Sequence, residues 1–142
     1  MNFEDDDIIQ IVENIWQTVL KLPIVPANKE KEIPNFIITT IQISGSWSGT
    51  IIIKTSKNMA KKAASVMFSS ELSMITAEDS GDALCELTNM IAGNLKTFFS
   101  GTNHLSLPSI SYKCDDETDA KILFEQFLQC QKEPLKITIL EK

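Results

Sequence analysis

The clearest pattern in the sequence is a helical one over residues 82–99, where apolar and polar positions separate onto opposite faces. At about 100° per residue, the apolar residues fall within an arc of about 80°. They are Leu84, Leu87, Ile91, Leu95 and Phe98. The opposite arc is equally narrow and holds Asp82, Glu86, Asn89, Gly93 and Lys96. The pattern predicts a long amphipathic helix that begins at a capping box of Thr76 and Asp79 and reaches about Phe99, with Gly101 just beyond it.

Two further helices are predicted before the long one. Residues 8–20 repeat apolar side chains at helical spacing behind the acidic run 5–7, which suits a helix N-terminus. We expect Pro23 and Pro26 to stop this helix. Ser56 can cap a shorter helix over 57–68.

Short runs rich in β-branched residues predict five strands. They cover residues 36–43, 47–55, 107–113, 121–130 and 135–140. A turn at 44–46 joins the first two into a hairpin, Gly49 marks a bulge or a close backbone approach, and Glu133 with Pro134 forms the turn between the last two. The order of helix, hairpin, two helices and strands predicts an α+β fold, with helices packed on one face of a mostly antiparallel sheet.

Composition narrows the classes of function. The chain of 142 residues is 43% hydrophobic and 23% charged, which indicates a single globular domain over residues 1–142. The apolar runs are too short to span a membrane and the acidic start does not resemble a secretory signal, so we expect a cytoplasmic protein that does not bind a membrane. The net charge is −6 and all thirteen basic residues are Lys. This balance disfavours nucleic acid as a partner and suits a protein with exposed Lys.

The sequence offers little for a metal site or a nucleophilic catalyst. Cys85, Cys114 and Cys130 are widely separated and no Cys-x-x-Cys occurs, so we expect reduced thiols. His104 is the only histidine and falls in a predicted polar loop, where a solvated role is typical. We therefore expect no metal and no cofactor in this chain.

The polar stripe of the long helix has two interpretations. Any solvated helix face carries Asp, Glu, Asn and Lys, so the stripe can be ordinary surface. Asn89 and Gly93 favour a functional role for the stripe, because both have low helix propensity and Gly costs about 1 kcal/mol relative to Ala in the middle of a helix. A Gly on an exposed face also lets another surface approach closely. Both penalties are explained if a partner docks on this face.

The stripe resembles the signature of a known family. Asp82-x3-Glu86-x2-Asn89, continued by Met-Ile-Ala-Gly-Asn at 90–94, is similar to the motif of the CheX/CheC/FliY phosphatases. The motif occurs once in this chain, as in the CheX type. Its carboxylate and amide are therefore the candidate catalytic residues, Glu86 and Asn89.

Other segments carry the same resemblance. Gly45-x-Trp47-x-Gly49 is similar to the CheX hairpin before the helix pair. Pro108 stands near the position of the family's motif proline but a few residues early, which predicts a shortened loop over 101–105. The resemblance thus covers most of the chain.

The resemblance implies a phosphatase that hydrolyses the aspartyl phosphate of a phosphorylated CheY-like receiver protein. Asn89 would orient the attacking water, and Glu86 would pair with a Lys of the receiver. Asp82, Gly93 and Lys96 would flank the pair as partner-binding residues, and the Mg2+ of the reaction would be held by the receiver. Members of the CheX type also form homodimers by joining sheet edges, so we expect that this chain can do so.

Two alternatives to catalysis stay open. The same fold can bind a response regulator without accelerating hydrolysis, or it can serve only as a dimerisation module, because fold alone does not establish function. Asn89→Ala separates the first alternative from an enzyme, since only an enzyme would lose acceleration while it keeps docking.

Overall fold

The structure of the protein, a computed structural model, describes residues 3–28, 32–113 and 120–142. Within these ranges the helices are α1 (Asp5–Ile15), α2 (Lys57–Met67) and α3 (Ala77–Leu95). The strands are β1 (Val25–Pro26), β2 (Phe36–Gly45), β3 (Gly49–Ser56), β4 (Asn103–Leu105), β5 (Ser109–Ser111), β6 (Lys121–Cys130) and β7 (Glu133–Glu141). A π-helical turn (Trp16–Leu20) follows α1, and 3-10 turns lie before α3 (Leu72–Met74) and after it (Lys96–Phe98). Cys114 lies outside the described residues.

The described strands form one sheet in the order β1-β6-β7-β3-β2-β4, with β5 also paired to β2. All of these pairs are antiparallel. The predicted hairpin is present, since β2 and β3 pair from Phe36 opposite Ser56 to Ile43 opposite Gly49. The prediction of an α+β fold with a mostly antiparallel sheet and helices on one face is confirmed.

The core lies between the helices and one face of the sheet. Every second residue along the central strands faces the helices and is buried; these include Ile37 and Ile41 in β2, Ile51 and Ile53 in β3, and Leu135, Ile137 and Ile139 in β7. From α3 the same core receives Leu84, Leu87, Ile91 and Leu95. Burying a side chain of this size stabilises the fold by about 1.5–3 kcal/mol, so apolar packing holds α3 on the sheet.

The predicted starts of α2 and α3 are confirmed by their caps. The Ser56 hydroxyl accepts a hydrogen bond from the Met59 N–H at 3.0 Å. At α3, the Thr76 hydroxyl accepts from the Asp79 N–H at 3.1 Å, and the Asp79 carboxylate accepts from the Thr76 N–H at 3.0 Å. These reciprocal bonds satisfy donors that the helix itself cannot pair, and they fix where α3 begins.

Two helices end differently from the prediction. The first passes into its π-helical turn and ends at Lys21, which has a left-handed backbone with φ 57°. It therefore stops before Pro23 and Pro26 instead of being stopped by them. The long helix loses α-helical geometry after Leu95 and completes its last turn as a 3-10 turn. Gly101 lies just beyond it with φ +83°, the conformation that Gly adopts most readily.

The turn between β6 and β7 was predicted wrongly. It lies at Gln131 and Lys132, with φ 48° and 69°, which is the conformation of a two-residue type I′ hairpin turn. Glu133 and Pro134 belong to β7. Pro134 lies opposite Gln129 of β6 and before the part of β7 that pairs with β3, a strand-start position that tolerates proline.

The segment after α3 also differs from the prediction. The predicted polar loop contains β4, which pairs with residues 43–45 of β2, and exposed His104 is part of that strand. The strand predicted over 107–113 is present only as Ser109–Ser111. At Gly49 the predicted close approach is confirmed, because a Cβ there would meet the Leu140 carbonyl oxygen and the Trp47 ring.

Candidate active site

The five predicted stripe residues lie together on the solvent side of α3 and the turn after it. Asp82, Glu86, Asn89, Gly93 and Lys96 are all exposed. The apolar residues on the opposite side of α3, from Leu84 to Leu95, are at most 1% exposed. At 1.5 Å per residue, Glu86 and Asn89 are about 4.5 Å apart along the helix axis, and the whole stripe is about 21 Å long. The stripe is therefore a long convex surface.

Glu86 and Asn89 are free to interact with a partner. Among the described residues, neither side chain makes a hydrogen bond or an ion pair with the rest of the chain. A carboxylate can form a charge-assisted hydrogen bond with an incoming ammonium group. A carboxamide can donate and accept hydrogen bonds at the same time, which is what orienting a water molecule requires.

Gly93 and Lys96 have different local explanations. A Cβ built on Gly93 has nothing within 4 Å, so the fold of this chain does not require glycine there. The open space is available to a partner. Lys96 stands at the C-terminal end of α3, where a positive charge interacts favourably with the helix dipole even without a partner.

The acidic end of the stripe affects a neighbouring cysteine. Cys85 is half-buried on α3 between Asp82 and Glu86. Burial raises the pKa of the Cys85 thiol, and the carboxylates of Asp82 and Glu86 raise it further. The thiol therefore stays protonated near neutral pH, which makes Cys85 a poor nucleophile.

A buried polar contact lies behind the stripe, between α3 and β2, and it was not predicted from the sequence. Thr88 of α3 is fully buried, and its hydroxyl lies 2.5 Å from the hydroxyl of Thr39, which is also fully buried in β2. The Thr88 hydroxyl also donates to the Leu84 carbonyl at 2.8 Å. Thr88 directly precedes Asn89, so this contact lies under the candidate site. A Thr at the margin of an otherwise apolar arc was the only signal for it in the sequence.

The C-terminal end of α3 is held by the β2–β3 turn. The Trp47 ring stacks on Phe99 at 4.0 Å between centroids with 3° between their planes, and the Trp47 indole N–H donates to Glu141 at 2.9 Å. The backbone N–H of Trp47 donates to the side-chain oxygen of Asn103, which is 4% exposed. The segment at 45–49, which resembles the CheX hairpin, therefore has a structural role: it packs against the C-terminal end of α3, away from Glu86.

A cavity of this structure lies away from the stripe. It measures about 390 Å³ and lies between α2, the start of α3 and β5, where it is lined by residues that include Lys57, Lys61, Ile75, Ser80 and Tyr112. None of the five stripe residues contributes to it. Because the stripe is an exposed convex surface, a partner that encloses a small substrate there has to surround the helix.

Neither a metal cluster nor a membrane helix is found in the part of the chain that the structure describes. Over 3–28, 32–113 and 120–142, no three His, Cys, Asp or Glu side chains are grouped closely enough to hold a metal ion. In the same ranges no helix is long and apolar enough to cross a membrane.

Comparison with protein families decides which family this site belongs to. The sequence model described as "Chemotaxis phosphatase CheX" matches residues 37–124, which is more than half of the chain and includes all of α2 and α3. The chain belongs to the CheX family. The resemblance seen in the residues around Glu86 and Asn89 is therefore confirmed at the level of the family. A search of curated proteins found no match.

Solved CheX structures share the fold. CheX from Vibrio vulnificus matches with a TM-score of 0.76 and 16% identity, over 96% of this chain and 95% of that one. CheX from Desulfovibrio desulfuricans matches with a TM-score of 0.74 and 18% identity, over 96% and 97%. CheX from Borrelia burgdorferi, solved in a complex with CheY, BeF3 and Mg2+, matches with a TM-score of 0.74 and 16% identity, over 99% and 100%. At these identities the likeness shows the fold.

Proposed function

We propose that this CheX-family chain accelerates hydrolysis of the aspartyl phosphate on a CheY-like receiver protein. The observation that carries the proposal is the exposed pair of Glu86 and Asn89, one turn apart on a well-packed helix inside the family match. The matched Borrelia CheX structure contains CheY with BeF3, which mimics a phosphoryl group, and this supports a receiver as the partner class. The convex shape of the stripe supports a partner whose site is a cleft.

The proposed reaction needs little covalent chemistry from this chain. The oxygen of a water molecule attacks phosphorus while the bond from phosphorus to the aspartyl oxygen breaks. The products are inorganic phosphate, which takes up a proton from the water, and the receiver's free carboxylate. Phosphoryl transfer of this kind depends mainly on positioning and on neutralising charge.

Asn89 supplies the positioning in this proposal. Its amide oxygen accepts a hydrogen bond from the water while its amide N–H donates to a neighbouring oxygen, so the water is held in line with the leaving carboxylate. An amide does this without adding negative charge beside a phosphoryl group. The glutamine of small GTPases orients its water in a comparable way.

Glu86 fixes the orientation of this chain against the receiver in this proposal. Its carboxylate would form a charge-assisted hydrogen bond with a receiver Lys, which gives orientation as well as affinity. Since Glu86 and Asn89 project from one turn of the same helix, fixing the first also places the second. Asp82, Gly93 and Lys96 would contact the rim of the receiver's site, with Gly93 permitting close approach of the two backbones.

The Mg2+ of the reaction belongs to the receiver in this proposal. The described residues of this chain include no cluster of ligands that fits a divalent cation. Its own contribution is therefore the water-orienting amide and the docking carboxylate, and the receiver supplies the phosphoryl group, the cation and the Lys.

We also propose that the chain forms a homodimer through the outer edge of β6. In the described residues, β1 pairs with this edge at Leu128 and Gln129, and the Ala27 N–H donates to the Phe127 carbonyl at 2.8 Å. Among those residues, 121–126 has no second neighbouring strand. Exposed Ile122, at 57%, lies on this stretch. An unpaired edge of this length can pair with a second copy. Analytical ultracentrifugation at micromolar concentration should give twice the mass of 15.9 kDa, and a single species at 15.9 kDa would contradict the dimer.

The test of the phosphatase proposal is phosphate release from a phosphorylated receiver of the same organism, measured in Mg2+ buffer at several receiver concentrations. Asn89→Ala is expected to lower kcat by about 100-fold or more while KM stays close to wild type. Glu86→Ala is expected to raise KM by about 10- to 100-fold, since it removes a hydrogen bond to a charged group. Asn94→Ala is the matched control, because Asn94 is an exposed Asn of the same helix outside the stripe.

Two outcomes would overturn the proposal. Absence of acceleration by the wild-type chain with every receiver tested would exclude the phosphatase and favour a dimerisation module. Tight binding to a BeF3-activated receiver without acceleration would instead identify a non-catalytic binding module.

A further inference from the structure

One arrangement of protons satisfies both hydrogen bonds of the Thr39 and Thr88 hydroxyls. The Thr88 hydroxyl donates its single proton to the Leu84 carbonyl at 2.8 Å. In that arrangement the Thr39 hydroxyl donates to the Thr88 oxygen in the 2.5 Å contact. Both residues are 0% exposed, so both hydroxyls lie away from bulk solvent. The result is a continuous hydrogen-bonded path from β2 through Thr88 to the backbone of α3.

This path reaches the one turn of α3 that carries the candidate site. Leu84 and Thr88 bound the turn that contains Glu86, and Asn89 follows at once. A Thr hydroxyl that bonds the carbonyl four residues earlier shares that carbonyl with the helix N–H and often bends the helix locally. The Thr88 bond therefore acts on the stretch of helix backbone from which Glu86 and Asn89 project.

The other end of the path, Thr39, is held in the sheet by a neighbouring strand on each side. Thr39 lies within β2, where it pairs with Ile53 of β3 on one side and with Ile110 of β5 on the other. The neighbouring buried side chains of α3, Leu84, Leu87 and Ile91, contribute apolar packing, which is not directional. The hydroxyl pair adds a directional contact between β2 and the turn of α3 that carries the site.

We propose that Thr88, held by Thr39, is a positioning residue for the reaction at Asn89. The inference rests on the proposed phosphatase function, and it goes beyond that function by assigning a role to two buried residues outside the polar stripe. Neither residue touches the substrate. Their effect is to hold the Asn89 amide in the place where it orients water, and a misplacement of about 1 Å in such a group can cost about 100-fold in rate.

The informative variant replaces both hydroxyls by methyl groups. In the double variant Thr39→Val/Thr88→Val the shapes are kept, no hydroxyl is left without a partner, and the Leu84 carbonyl keeps its helix N–H. Replacing both partners in this way has little effect on stability. Thr88→Ser is the conservative variant, because it keeps the hydroxyl. Thr97→Val is the matched control, since exposed Thr97 also donates to a helix carbonyl, that of Asn94 at 2.7 Å, away from the sheet.

The experiment measures kcat and KM for dephosphorylation of the receiver, binding to the BeF3-activated receiver, and the urea midpoint of each variant. The double variant is expected to lose about 10- to 100-fold in kcat. Its KM and its affinity for the BeF3-activated receiver should stay within about a factor of two of wild type, and its urea midpoint should be unchanged. Thr88→Ser and Thr97→Val are expected to keep kcat within about threefold of wild type.

The results that would overturn the positioning role differ from the result that would overturn the phosphatase function. A double variant with wild-type kcat would overturn the positioning role while leaving the phosphatase function intact. A loss of kcat that is matched by a loss of binding or of stability would also overturn it, because the pair would then be only structural. Absence of acceleration by the wild-type chain would overturn both the function and this inference.

Discussion

Replacing Asn103 with alanine tests how the end of α3 is held. Asn103 is 4% exposed and makes three hydrogen bonds. Its side-chain oxygen accepts from the Trp47 N–H at 2.9 Å, and its side-chain nitrogen donates to the carbonyls of Phe99 at 3.4 Å and Ser100 at 3.3 Å. The amide therefore joins the β2–β3 turn to the segment that follows α3.

The expected loss of stability follows from these bonds. The short hydrogen bond to the Trp47 N–H contributes about 1 kcal/mol net. Leaving that N–H without a partner in a partly buried position costs about 1–2 kcal/mol more. The two longer bonds are near the distance limit and add less. We expect Asn103→Ala to lower the free energy of unfolding by about 2–3 kcal/mol.

Urea denaturation measures this loss. Circular dichroism at the helix band reports on the whole fold. Tryptophan fluorescence reports on Trp16, which is buried in the core, and on Trp47, which stacks on Phe99. The urea midpoint should fall while the slope m is unchanged. Asn94→Ala is the control, since the exposed Asn94 side chain donates to the Met90 carbonyl within its own helix and Ala is the better helix former. A loss below about 0.5 kcal/mol for Asn103→Ala would refute the reasoning, because it would equal an ordinary surface change.

Three further predictions concern glycine and cysteine positions. Gly93→Ala should raise the free energy of unfolding by about 0.5–1 kcal/mol in urea denaturation, because its Cβ meets nothing within 4 Å; a loss of stability would contradict this. Gly49→Ala should lower it by about 1–3 kcal/mol, since the Cβ would meet the Leu140 carbonyl and the Trp47 ring; an unchanged urea midpoint would contradict this. Alkylation of Cys85 by iodoacetamide, followed by peptide mass spectrometry, should be slower at pH 8 in the folded chain than in the unfolded chain, and its rate should rise with pH. The reason is that burial, and then the nearby carboxylates, raise the pKa of the Cys85 thiol and keep it in the unreactive protonated form. Equal rates in folded and unfolded chains would count against it.

Much of the fold was predictable from local patterns with a direct physical cause. Ser56 and the pair of Thr76 and Asp79 have the side chains that satisfy free helix N–H groups, so α2 and α3 begin where the sequence predicts. The separation of polar and apolar residues along α3 predicted which face is buried, and all five stripe residues are exposed. The placement of the candidate residues was therefore available from periodicity alone.

The features that were missed depend on tertiary contacts or on backbone conformations without a sequence signature. The β6–β7 turn places Gln131 and Lys132 at positive φ, where Asn and Gly are usual, so the sequence indicated Glu133 and Pro134 instead. The strand at 103–105 forms because β2 extends to Gly45 and offers it an edge. No local pattern could pair the hydroxyl of Thr39 with that of Thr88, because 49 residues separate them.

The most direct test of the central claim is the rate at which a radiolabelled phosphoryl group is lost from a receiver protein in Mg2+ buffer, with and without this chain. The account predicts that the wild-type chain speeds the loss and that Asn89→Ala abolishes the acceleration while still binding the BeF3-activated receiver. Loss of label at the receiver's own rate in the presence of the wild-type chain, or equal acceleration by Asn89→Ala, would contradict it.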